Sequence, residues 1–163
     1  MSTDIHGGIE FRHPGTGTDY YDGEPWVTAM NLWPLYDETS YTAFGCLFGV
    51  RNQAGFRPLA PGRGLPADLS SGMRAHLGTG TEKDGLHSVS WVSWAELAAI
   101  DPREATERVE WTTDDLSYAY AYEPMTVGAV LGDETHWPHV FNVMKALAGR
   151  FGDDGVRLVV AFD

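Results

Sequence analysis

Asp4, His6 and Glu10 stand at positions i, i+2 and i+6. Because strand side chains alternate, one face of an extended segment there presents a carboxylate, an imidazole and a second carboxylate. These donors suit Zn²⁺, Mn²⁺ or Mg²⁺, and they are also the components of a general acid/base pair. The alternative is a polar strand face that simply meets water. A second group is Asp84-Gly85-Leu86-His87-Ser88. There His87 would complete a metal site or protonate a leaving oxygen, with Ser88 positioning it. Otherwise Asp84 and Ser88 are turn residues and His87 hydrogen-bonds within a half-buried strand. The third group is Arg51, Arg57 and Arg63, whose guanidiniums grip phosphate or carboxylate bidentately, or else partner surface acids. Trp26, Trp33 and Trp91 offer rings on which a base would stack.

The elements that must position these residues are legible in part. Residues 4–12 read as a strand with Ile5, Ile9 and Phe11 on one face and Asp4, His6, Glu10 and Arg12 on the other. Residues 13–38 read as a long ordered loop with a short strand near 26–30. Ser40 caps a helix that runs to about Gly49, and 51–64 is an irregular Gly/Pro-rich loop. A short helix follows at 70–77, then a loop, then an alternating strand at 86–92. Ser93-Trp94-Ala95-Glu96 is a capping-box pattern for a helix ending near Ile100. Residues 108–122 alternate like a strand. The clearest helix has Asp133 or Thr135 as cap, Pro138 in its first turn, and a stripe of Trp137, Phe141, Met144, Leu147 or Ala148, and Phe151. Gly152-Asp153-Asp154-Gly155 breaks it, and 156–162 is a β-branched, buried strand. The expectation is one α+β domain over 1–163, with a mixed or antiparallel sheet that pairs the first and last strands, a long C-terminal amphipathic helix, and long loops.

Composition narrows the function classes. The chain has 163 residues, 43% hydrophobic and 20 of them aromatic (6 Trp, 7 Tyr, 7 Phe), enough to offset the ordering entropy of one core. Its net charge of −12 repels long nucleic acid and anionic membrane surfaces, and only Lys83 and Lys145 are lysines. Cys46 is the single cysteine, set in the apolar run Phe44 to Phe48, so no internal disulfide forms and the thiol reads as core packing. No signal-peptide pattern opens the chain and no eighteen-residue apolar run occurs, which leads to the expectation of a soluble, cytoplasmic protein. Homo-oligomerisation stays open.

Several segments together resemble a family of uncharacterised tailed-phage and prophage proteins, especially of actinobacterial phages. They are Asp4-Ile5-His6-Gly7-Gly8-Ile9-Glu10-Phe11-Arg12, Tyr41 through Arg51, Arg63-Gly64-Leu65-Pro66-Ala67-Asp68-Leu69-Ser70, His87-Ser88-Val89-Ser90-Trp91 with Glu96-Leu97, and Val156 through Asp163. Many relatives carry Cys where Thr3 stands and a second His where Val89 stands. The resemblance implies no reaction. It does mark Asp4, His6, Glu10, Arg51, Arg63, Asp84, His87, Ser88 and Asp163 as recurring polar positions. A small nucleotide is then the expected ligand. In the first reading a phage phosphodiester hydrolase acts on it, a host immune signal being one such nucleotide, with His6, Glu10, His87 and Ser88 catalytic and Asp4, His6, Glu10 and Asp163 around a divalent metal. Arg51, Arg63 and Trp91 bind the substrate. In the second reading the protein sequesters the nucleotide unchanged, and in a third it is a structural or protein-interaction component.

Overall fold

The computed structural model describes residues 2–163. Two strands at the ends of the chain lie side by side: β1 (Ile5–Arg12) pairs antiparallel with β6 (Val156–Phe162) along its whole length. β2 (Trp26–Asn31) flanks β1 and β3 (His87–Ser93) flanks β6, both antiparallel, giving the order β2-β1-β6-β3. Among the described residues there are also five α-helices: α1 (Tyr41–Phe48), α2 (Ser71–Leu77), α3 (Trp94–Ala98), α4 (Val127–Leu131) and α5 (Trp137–Phe151). The protein is α+β, with its main sheet antiparallel.

Alternation assigns the faces. Ile9, Leu158, Val160 and Phe162 join Phe44, Leu47, Trp137 and Met144 in the larger core, under α1 and α5. Val159 and Ala161, on the opposite face of β6, pack with Leu69, Met73 and Leu77 beneath α2. Burying each of these large side chains contributes about 1.5–3 kcal/mol, so the double-sided β6 anchors both layers. Gly7 is required at the β1–β6 seam: its φ is +146°, and a Cβ there would lie 1.9 Å from the Val159 carbonyl oxygen.

The local signals act largely as their chemistry implies. The Ser40 hydroxyl accepts from the Ala43 N–H, and Gly49 ends α1 in the left-handed region at φ 72°. Ser93 and Glu96 form the reciprocal capping box of α3. In α5 the buried stripe is Trp137, Val140, Met144 and Ala148, a slight rotation from the expected one; Phe141, Leu147 and Phe151 sit half-buried at its edge. Its N-cap position falls on His136, which offers no side-chain cap, while the Thr135 hydroxyl accepts from the Trp137 N–H. Residues 108–122 form a hairpin and not one strand: β4 (Val109–Thr112) and β5 (Ala119–Tyr122) pair antiparallel around a polar turn. No helix among the described residues is long and apolar enough to cross a membrane.

Candidate functional site

Glu10 faces Arg157 across the β1–β6 ladder, and both are buried. Arg157 Nε donates to Glu10 Oε1 at 2.7 Å and its Nη1 donates to Asp68 Oδ1 at 3.0 Å. The other Glu10 oxygen accepts the Ser70 N–H at 2.7 Å, just ahead of α2. A carboxylate held this way is a structural counter-ion, which corrects its assignment as a base or metal ligand. The sequence contained a signal for it: a lone arginine in the apolar run 156–162 requires a buried acid, and Glu10 is the acid one strand away.

Above this ion pair a cleft of about 750 Å³ opens at one end of the sheet. The Arg157 guanidinium carbon sits 3.9 Å from the centroid of the Trp26 ring, and that of Arg63 sits 4.9 Å from the Trp91 ring. Arg63 is clamped by Glu96 through two parallel hydrogen bonds of 2.8 and 2.5 Å, and it also donates to the Trp91 carbonyl. That clamp pulls the Glu96 carboxyl from 4.5 down to about 2 and raises the Arg63 pKa. Leu65 to Asp68, from the Arg63-to-Ser70 segment, form one wall. Arg12 stands exposed at the rim and makes no hydrogen bond or ion pair among the described residues. Three arginines therefore meet three carboxylates along the lining, Asp68, Glu96 and Asp154, in a molecule whose net charge is −12.

His6 lies elsewhere on the same face. Its Nε2 is 3.0 Å from Asp163 Oδ2, and Asp163 Oδ1 accepts the Asp4 N–H at 3.0 Å. The Asp4 hydrogen bond first, and His6 second, hold the Asp163 carboxyl below its usual range. The Asp4 side chain turns to Thr39, whose hydroxyl donates to Oδ1 at 2.7 Å. His76 of α2 shares a cleft of about 500 Å³ with His6, Asp84 and Asp163. Partial burial, then the nearby His6, lowers the His76 pKa. Six positions along β1 separate His6 from Arg12, about 20 Å at the rise of a strand, so this cleft and the arginine cleft occupy opposite ends of the α2 face.

His87 does not join His6. It is the cross-strand partner of Phe162, with ring centroids 6.4 Å apart, while His6 pairs with Ala161 on the other side of β6. The two imidazoles point to opposite faces, so the catalytic set of His6, Glu10, His87 and Ser88 is not assembled. A bulge between His87 and Ser90 places Ser88 at φ 51°, its hydroxyl 2.9 Å from His87 Nδ1. Arg51 also lies away from Arg63, stacked 5.4 Å from the Tyr41 ring and donating to the Thr3 hydroxyl. Arg57 makes an exposed pair with Glu104 at 3.3 Å. Of the expected metal donors, Asp4, His6 and Asp163 are linked as described and Glu10 is turned to Arg157. Among the described residues no three His, Cys, Asp or Glu side chains gather as a metal-binding group.

Of the expected ligand residues, the structure brings Arg63, Trp91 and Trp26 together. Arg12, Arg157 and Glu96 fall outside the expected set; Arg157 alone carries a sequence signal, its place in an apolar run, while Arg12 and Glu96 are recognisable only through what the fold places beside them. No family model matches the chain, and comparison with curated proteins and with solved structures finds no match.

Proposed function

We propose that this protein binds a small nucleotide in the arginine–tryptophan cleft and holds it unchanged. One observation carries the reading: two guanidiniums stacked on two indoles border a single cleft. A guanidinium fixed over a ring is a flat cationic surface on which a nucleobase stacks. Arg12, free at the rim, is the cation left to meet a phosphate. Arg63 and Arg157 are committed to carboxylates, so they order the cleft while their charge is already balanced; Arg63 presents its face to the cleft, and Arg157 lies buried against Trp26. The resemblance to phage proteins gives this activity a setting, the capture of a host nucleotide signal in the cytoplasm of an infected cell.

A second reading keeps hydrolysis and rests on the His6–Asp163 pair, which borders its own cleft beside His76. A carboxylate that orients an imidazole makes it a competent acid/base group, and a divalent metal would enter only there. One experiment separates the readings. The protein is incubated with mononucleotides and with cyclic di- and trinucleotides, with and without EDTA, and the nucleotide is analysed after heating. Intact nucleotide retained at one per chain, lost in Arg12→Ala and Trp91→Ala, supports capture. Turnover abolished in His6→Ala supports the hydrolase. If every nucleotide passes through unbound and unchanged at about 1 mM, both fail.

A further inference from the structure

On the α1 side of the sheet, the β4–β5 hairpin carries aromatic rings that its own two strands cannot bury. Trp111 and Tyr120 are directly opposite each other in the ladder, about half exposed, and Tyr122 faces Val109 two pairs further along. Cross-strand partners project to the same side, so the rings share one face of the hairpin. That face looks across to Tyr41 of α1 and to Gln53, enclosing a cleft of about 440 Å³.

The rings are held, not loose. Trp111 Nε1 donates to the Gln53 carbonyl at 3.0 Å, and the Tyr41 hydroxyl accepts the Thr3 N–H at 3.1 Å. Around them lies a set of uncharged polar groups. The Gln53 side-chain amide and the hydroxyls of Thr112, Tyr120 and Tyr122 make no hydrogen bond among the described residues.

Charge selects the ligand. From Glu107 to Glu123 the chain has five carboxylates and one cation, Arg108, which pairs with Glu110 and Glu123. An anion is repelled by this rim. A cation would meet the Arg51 guanidinium already resting on the Tyr41 ring. What remains is a neutral molecule with a flat apolar face and hydroxyls at its edges. We propose that this cleft is a saccharide site that takes a neutral pyranose, stacking its C–H face on Trp111 and Tyr120 and directing its hydroxyls to Gln53 and to the Tyr122 hydroxyl. The site is independent of the nucleotide cleft, because it is built from α1, the 51–57 loop and the hairpin.

The test is titration of the protein with cellobiose, maltose and chitobiose, followed by NMR at the Trp111 indole N–H, a signal identified by its loss in Trp111→Phe. The expected result is a saturable shift at millimolar sugar, with affinity reduced about tenfold in Tyr120→Ala and in Gln53→Ala while the far-UV circular dichroism is unchanged. Tyr120 and Gln53 lie outside both cores, so these variants fold. The proposal is overturned if no sugar shifts the signal at about 50 mM, or if choline binds more tightly than any sugar. It is equally overturned if the shift follows protein concentration without sugar, which would make the aromatic face a contact between copies of the chain.

Discussion

Glu10 and Arg157 illustrate how residue type alone misleads about role. A carboxylate beside a histidine on a terminal strand reads as chemistry, yet the opposite strand supplies an arginine at hydrogen-bonding distance and the helix α2 closes over both. Removing one partner of a buried pair strands the other without water. Glu10→Ala is therefore expected to destabilise the fold by about 3–5 kcal/mol in urea unfolding, and adding Arg157→Met in the same chain to restore much of the loss. If the single variant unfolds at the wild-type urea concentration, the pair has no structural role. His6, by contrast, keeps an exposed partner in Asp163, and its environment leaves it open to solvent and ligand.

At the scale of elements, the cleft depends on how the 63–70 segment is fastened to α3. Arg63 and Glu96 form that tie, and the same Glu96 completes the capping box with Ser93. The Glu96 carboxyl is pulled down from 4.5 to about 2 in the folded protein, first by Arg63. A depressed acid stabilises the fold above its unfolded pKa and loses that contribution as pH falls through its folded pKa. The melting-temperature difference between wild type and Glu96→Gln is thus expected to be full above pH 4.5 and to vanish as pH approaches about 2. A difference that stays constant across this window would show that the tie contributes nothing. The hairpin β4–β5 is the opposite case. It contributes few side chains to the cores, so its aromatic composition is explained by what it presents and not by what it buries.

For the whole molecule, the charge of −12 acts against the compact state through self-repulsion, which salt screens. Raising ionic strength from about 0.01 to 0.15 M is expected to raise the melting temperature by a few degrees at neutral pH, read by calorimetry. A fall would mean that local ion pairs such as Arg157–Glu10 and Arg63–Glu96 outweigh the global repulsion. Much of the architecture was legible in the sequence, because caps, breakers and alternation are local: Ser40, Gly49, Ser93 and Glu96, Pro138 and the faces of β1 all act where they stand. The pairing of the first and last strands was an expectation that β1 and β6 bear out. The hairpin within 108–122 did not, because its turn at Asp114 to Ser117 interrupts an alternation that continues on both sides. Nor could sequence decide which polar residues meet. The side of β6 that each strand neighbour occupies depends on register, and the bulge beyond His87 sends its ring toward Phe162 and away from His6. Sequence by itself determined residue types, local elements and an acidic exterior. Only the tertiary structure decided that Glu10 is a buried counter-ion, that Arg63 and Trp91 share a cleft with Arg157 and Trp26, and that the two histidines never meet, because each of these depends on contacts between strands distant in the chain.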